Sequence, residues 1–234
     1  MGPMAVVIAP RFNGPPSSGH GGYSAGCAAA QLDAPAVEVT LRKPPPLGVP
    51  LSVGRDGETA SLYDGHELIA EARPVELTVT GPGPVGSGVA AAASARFEWQ
   101  DDHPFPTCFG CGPDRDPSDA LCLYTGPVGD GRFAVPWTPP DWSGGETVDP
   151  LFVWAALDCP SSAPVHPTIT APIVLGRFTV AIEGPVEVGA PHVIQSWLEG
   201  IEGRKYQTAV ELWTTGGERR AIARSVWIEL AKPL

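Results

Sequence analysis

The chain has 234 residues, 43% of them hydrophobic and 18% charged, which is enough apolar material for one large or two ordinary folded domains and excludes a disordered chain. A formal net charge of −11 argues against a nucleic-acid partner, because phosphate backbones reward clustered Lys and Arg. No run approaches the ~20 apolar residues of a membrane span, and 28 Gly with 28 Pro predict long loops between short elements.

In chain order, the apolar run from Met4 to Ala9 is too short, and lacks the basic flank, for a secretory signal. Residues 20–32, rich in Ala and Gly and closed by Asp33 and Pro35, predict a helix of small residues that lets neighbouring backbone come close. Strands are predicted over 37–42, 51–53, 59–63 and 67–80, with Asp56-Gly57 and Asp64-Gly65 as hairpin turns. The uncharged Gly, Pro, Ala and Val of 81–94 predict a linker, ending in the turn Asp101-Asp102-His103-Pro104.

Beyond it the order recurs, with strands at 121–124 and 131–135, a helix at 148–158, and strands at 173–182, 192–198, 205–214 and 220–230. A helix followed by a meander of antiparallel strands, twice over, predicts a duplicated α+β chain divided into residues 1–95 and 96–234. Edge-to-edge pairing of the two sheets would remove two exposed edges, giving a homodimer fused into one chain. The outer sheet faces still leave room for a homo-oligomer.

The segment Asn13-Gly14 through His20-Gly21-Gly22-Tyr23 resembles the helix start of hotdog-fold acyl-CoA thioesterases. In the second half, Cys108-Phe109-Gly110-Cys111-Gly112-Pro113 and Ala155-Ala156-Leu157-Asp158 resemble the opening and the acid-bearing helix of thioesterase-superfamily domains. The resemblance implies a tandem, double-hotdog arrangement acting on an acyl-CoA or related acyl thioester. It also implies Asn13, His20 and Tyr23 as loop and substrate contacts; neither a metal nor a cofactor is expected.

The halves depart from that pattern in complementary ways. Ala29 and Asp158 stand equally far, nine residues, after His20 and Asp149, so only the second helix carries an acid. Asp149-Pro150-Leu151 replaces His-Gly-Gly, and the proline removes a donor, so only the first helix offers a glycine start. If the helices pack antiparallel, Asp158 meets Gly21-Gly22, and the pair forms one composite site with the other defunct.

Amides at a helix start and the positive helix end would stabilise an oxyanion, and the carboxylate would act as general base or nucleophile. Plainer readings stand beside these. The glycines would serve a simple loop, His20 a hydrogen-bonded core role, Asn13-Gly14 a turn, and Asp158 a solvent-facing helix end before Cys159-Pro160. The same fold would also bind acyl ligands without chemistry, or serve a hydratase or dehydratase with His20 as base.

Cys108 and Cys111 with nearby His103 have zinc-like spacing, but a structural site needs four ligands, and Cys27, Cys122 and Cys159 are isolated in sequence. A turn around Gly110 and Gly112 is the default expectation. Five scattered cysteines fit free thiols in a reducing cytoplasm. Arg204, Lys205, Arg219, Arg220 and Arg224 are the one dense basic stretch, serving an anionic substrate or simply solvating strand ends, and Trp137 or Trp142 would wall an acyl tunnel.

Overall fold

Alternating apolar positions make the strands and runs of small residues make the helices in the computed structural model, which describes residues 5–231. The first half supplies β1 (Ala5–Val7), helix α1 (Gly21–Ala29), β2 (Ala36–Leu41), β3 (Pro50–Asp56), β4 (Thr59–Asp64) and β5 (Glu67–Pro74). After helix α2 (Ser87–Ser94), the second supplies β6 (Gly126–Pro127), β7 (Arg132–Trp137), helix α3 (Pro150–Ser162), β8 (Ile173–Ile182), β9 (His192–Glu202), β10 (Lys205–Thr214) and β11 (Arg219–Glu229). Met4 of the apolar N-terminal run lies outside the described residues.

The strands form a single antiparallel sheet in the order β1-β3-β4-β5-β2-β8-β11-β10-β9-β7-β6. The halves meet where β2 pairs with β8, Val37 opposite Val180 and Val39 opposite Phe178, all four buried. One face carries α1 over β2 and β5, and α3 over β9, β10 and β11. This is the duplicated α+β architecture that the sequence predicts.

The two helices press against each other as well as against the sheet. A Cβ on Gly22 would lie 2.5 Å from the Trp154 carbonyl oxygen and 2.6 Å from Asp158 Cβ, and one on Gly26 would lie 3.0 Å from Trp154 Cβ. Only glycine permits this approach. Because Gly22 meets Asp158 while Gly26 meets Trp154 and Leu151, the helices run antiparallel.

Several elements differ from the sequence expectation. Helix α3 continues past Asp158 to Ser162 through Pro160, its last turn held by β-strand hydroxyls: Ser196 Oγ donates to the Pro160 carbonyl (2.6 Å) and Thr208 Oγ1 to the Ser161 carbonyl (2.8 Å). Asp158 is therefore interior to its helix. The strand expected over 67–80 stops at Pro74, which cannot extend the ladder.

The expected linker is ordered on the outer face of the second half. Val85 N–H donates to Gln195 Oε1 (2.9 Å), and the last residues form α2, whose Ala90 and Ala93 pack with Ala134 and Val193. Residues 121–124 form no strand, because Cys122 turns through a φ of +51°; the Leu121 and Leu123 N–H groups instead donate to the carbonyls of Phe109 (2.9 Å) and Gly110 (2.8 Å). No described helix is long and apolar enough to cross a membrane.

Candidate active site

Helix α1 starts in a loop fixed from both halves. His20 N–H donates to the Phe12 carbonyl (2.7 Å), and Phe109 N–H, from the second half, donates to the Asn13 carbonyl (2.8 Å). Asn13 is buried. Its Nδ2 donates to the Gly14 carbonyl (3.1 Å) and Thr107 Oγ1 (3.2 Å), and its Oδ1 accepts from Arg115 Nη1 (3.1 Å). Its side chain is thus occupied in stapling the two halves.

At the helix start itself, the His20 ring is the cap, with Nδ1 3.3 Å from Tyr23 N–H. Gly22 N–H points across the helix pair and donates to Asp158 Oδ2 at 2.6 Å. The same Oδ2 lies 3.3 Å from His20 Nδ1, so the acid of one half touches both elements of the glycine start of the other. Asp158 is only 2% exposed, and its Oδ1 finds no hydrogen-bond partner among the described residues.

Burial pushes the Asp158 carboxyl up to about 6, with His20 and the Gly22 N–H pulling the other way. Burial works against a charge on His20, but Asp158 and the Cys108 thiol outweigh it and raise the imidazole above its ordinary value. The Gly22 amide, expected to face a substrate oxygen, is here spent on the acid. Gly21 N–H, first in the helix, has no partner within it.

Beyond His20 lies a thiol cluster that sequence spacing conceals. His20 Nε2 is 3.3 Å from Cys159 Sγ, and Cys159 Sγ is 3.7 Å from Cys108 Sγ. The neighbouring Cys111 and Cys159 thiols hold Cys108 well below the ordinary thiol value, and Cys111 and Cys159 are themselves raised. His103 Nε2 lies 3.3 Å from Cys111 Sγ on the outer side.

Asp158, His20, Gly21 and the cysteines line a cleft of about 410 Å³, within the range usual for small-ligand sites. Its apolar wall is Ile173, Leu175, Ile228, Trp99 and Trp227, with Arg42 and Lys43 half exposed at the rim. Trp137 and Trp142, expected as the tunnel wall, do not line it; Trp142 packs instead with Phe109 and Phe152. Nor do Asn13 and Tyr23, expected substrate contacts: Tyr23 stacks on Phe12 with ring centroids 4.0 Å apart.

Three of the five residues of the dense basic stretch are neutralised locally, Arg219 by Glu183 and Glu211, Arg220 by Glu187 and Glu218, and Arg224 by Glu199. At the pseudo-symmetric start, Asp149 caps its own helix by accepting from Leu151 N–H at 2.9 Å. Neither Asp149, Leu151 nor Ala29 lines the cleft.

One antiparallel sheet wrapped around a glycine-packed pair of helices defines a double hotdog protein, the fold that the resemblance implies. No protein-family model and no curated protein sequence matches the chain. Solved structures do. A candidate thioesterase from Novosphingobium aromaticivorans is 14% identical at a TM-score of 0.64, covering 97% of this chain and 95% of that one. The acyl-CoA thioesterase II of Mycobacterium marinum is 13% identical at a TM-score of 0.58, covering 91% and 90%. A hot dog fold protein of unknown function from Alicyclobacillus acidocaldarius is 12% identical at a TM-score of 0.53, covering 97% and 92%. Identities this low make the likeness one of fold.

Proposed function

We propose that the protein is a thioesterase-like hydrolase that cleaves an acyl-CoA or related acyl thioester at one composite site between its two hotdog units, residues 1–95 and 96–234. The observation that carries this reading is the 2.6 Å bond from Gly22 N–H to Asp158 Oδ2 inside a cleft, with Asp158 Oδ1 left without a protein partner. A carboxylate braced through one oxygen keeps the other, itself buried, as an unpaired acceptor for a water admitted to the cleft.

In this mechanism the thioester carbonyl lies at the start of α1, where Gly21 N–H and the positive helix end stabilise the developing oxyanion. Asp158 Oδ1 takes the proton of the attacking water, and collapse of the tetrahedral intermediate expels the thiolate, which receives that proton. His20 acts as a positioning residue: with Nδ1 protonated it holds Asp158 Oδ2 and gives up the bond it otherwise accepts from Tyr23 N–H. Asn13 fixes the loop, and Tyr23 backs it from the core. Arg42 and Lys43, whose pairs with Glu71 and Glu67 are exposed and easily exchanged, meet the phosphates of CoA at the rim.

Thioesterase names among the structural neighbours support the reaction class, and free thiols fit a cytoplasmic setting. The test is release of CoA thiol from a panel of acyl-CoA substrates, wild type against Asp158→Asn. Hydrolysis by the wild type and its loss in the variant are expected. Equal hydrolysis by both would remove the mechanism.

A second reading rests on a specific observation. Because Gly22 N–H is already engaged by Asp158, the site would also serve an acyl-binding protein without turnover. Calorimetry that registers acyl-CoA binding with no thiol released would favour it.

A further inference from the structure

The geometry points to a zinc-class metal site at the junction of the two halves, with His20 Nε2, Cys108 Sγ and Cys159 Sγ as three ligands and Cys111, on the same turn as Cys108, completing the set on metal binding. In sequence these residues lie in three separate segments, and only the Cys108-x-x-Cys111 spacing is metal-like. The fold brings the segments together. One ligand atom each from His20, Cys108 and Cys159 falls within 4.8 Å of the others. Cys111 stands outside that trio, its Sγ 3.3 Å from His103 Nε2, and enters as the second thiol of the Cys108-x-x-Cys111 turn.

The separations fit tetrahedral zinc. With Zn–S near 2.3 Å and Zn–N near 2.0–2.1 Å, the edges of the tetrahedron are about 3.7 Å between sulfurs and about 3.6 Å between sulfur and nitrogen. Cys108 and Cys159 are 3.7 Å apart, and Cys159 and His20 Nε2 are 3.3 Å apart. Ordinary packing of buried thiols does not require a nitrogen and two sulfurs from three separate segments to gather this closely.

The surrounding backbone is shaped for the same purpose. A Cβ on Gly110 would lie 2.4 Å from Cys159 Sγ and 2.6 Å from His20 Nε2, so the residue between the paired cysteines must be glycine for the other ligands to enter. Gly112 N–H closes the turn on the Cys108 carbonyl (2.9 Å). His20 Nδ1, facing Asp158 Oδ2 at 3.3 Å, provides the carboxylate contact that commonly orients a metal-bound imidazole. Three thiolates and one imidazole make a closed, structural site, which would clamp the Cys108 to Gly112 loop onto the starts of α1 and the middle of α3.

The test uses the full chain, purified under reducing conditions without an affinity tag. About one zinc per chain by elemental analysis is expected, together with strong visible and sulfur-to-metal charge-transfer bands when cobalt(II) replaces it. Cys108→Ser and Cys159→Ala should each reduce bound metal to the level of the buffer. Cys122→Ser, outside the cluster, should retain it.

Where a cluster variant fails to fold, X-ray absorption on the wild-type zinc form decides, with a shell of about three sulfurs and one nitrogen expected. A fully reduced wild type that binds neither metal, a zinc shell lacking sulfur, or a Cys108–Cys159 disulfide in the protein as isolated would overturn the assignment. Each readout is independent of thioester hydrolysis, so this site and the proposed reaction stand or fall separately.

Discussion

The two helix starts of this molecule face the same physical need and meet it from different sources. Each leaves a second-position N–H without an intrahelical acceptor, and each finds a carboxylate: Gly22 takes Asp158 from the opposite helix, while Leu151 takes Asp149 from its own cap. A carboxylate that crosses between helices needs glycine on the receiving side, and it lines a cleft. One that folds back on its own helix tolerates Pro150 and Leu151 and stays outside the cleft. The same hydrogen bond closes a single helix at one end and joins two helices beside a cleft at the other.

That contrast is broken most strongly at Asp158. Asp158→Asn keeps the shape and an acceptor for Gly22 N–H but removes the base, and hydrolysis should fall about 10²–10⁴-fold, read as CoA thiol release. Gly22→Ala drives a methyl into the Trp154 carbonyl oxygen and Asp158 Cβ; thermal unfolding should register a loss of about 1–3 kcal/mol, with turnover lost alongside.

The mate at the other helix start should respond differently. Asp149→Ala deletes a cap alone, so a loss of about 1 kcal/mol in denaturant unfolding with hydrolysis unchanged is expected. Substantially slower hydrolysis would mean that the second start is not idle. Smallest of all, Arg42→Ala or Lys43→Ala at the rim should raise KM for acyl-CoA about 2–5-fold at low salt with kcat unchanged, an effect that fades as ionic strength rises.

The duplicated α+β plan and the meeting of Asp158 with Gly22 are legible in the sequence because both rest on local patterns: strand alternation, a run of small residues, and an acid a fixed distance along a helix. Antiparallel helix packing then leaves little choice about what those residues touch. The thiol cluster is not legible, because Cys159 and His20 reach Cys108 only through the β2–β8 seam and the close approach of α1 and α3.

Helix α2 is hidden for another reason. Its Gly, Val, Ala and Ser residues carry no alternation of polar and apolar character, and only Ala134 and Val193 beneath it show which face is buried. Trp137 and Trp142 stand just before the second helix in sequence, yet neither lines the cleft. Trp99, from the loop after α2, and Trp227, from β11, line it instead.

The continuous ladder from β2 to β8 has one more consequence. In a symmetric pair of separate subunits every substitution is made twice, so no helix start can lose its glycines while its mate keeps them. Here a peptide chain and a shared row of hydrogen bonds hold both starts in one molecule, and each residue is free to change alone. The same tether means that dilution never parts Asp158 from Gly22, and whatever the cleft does per molecule is done equally well at any concentration.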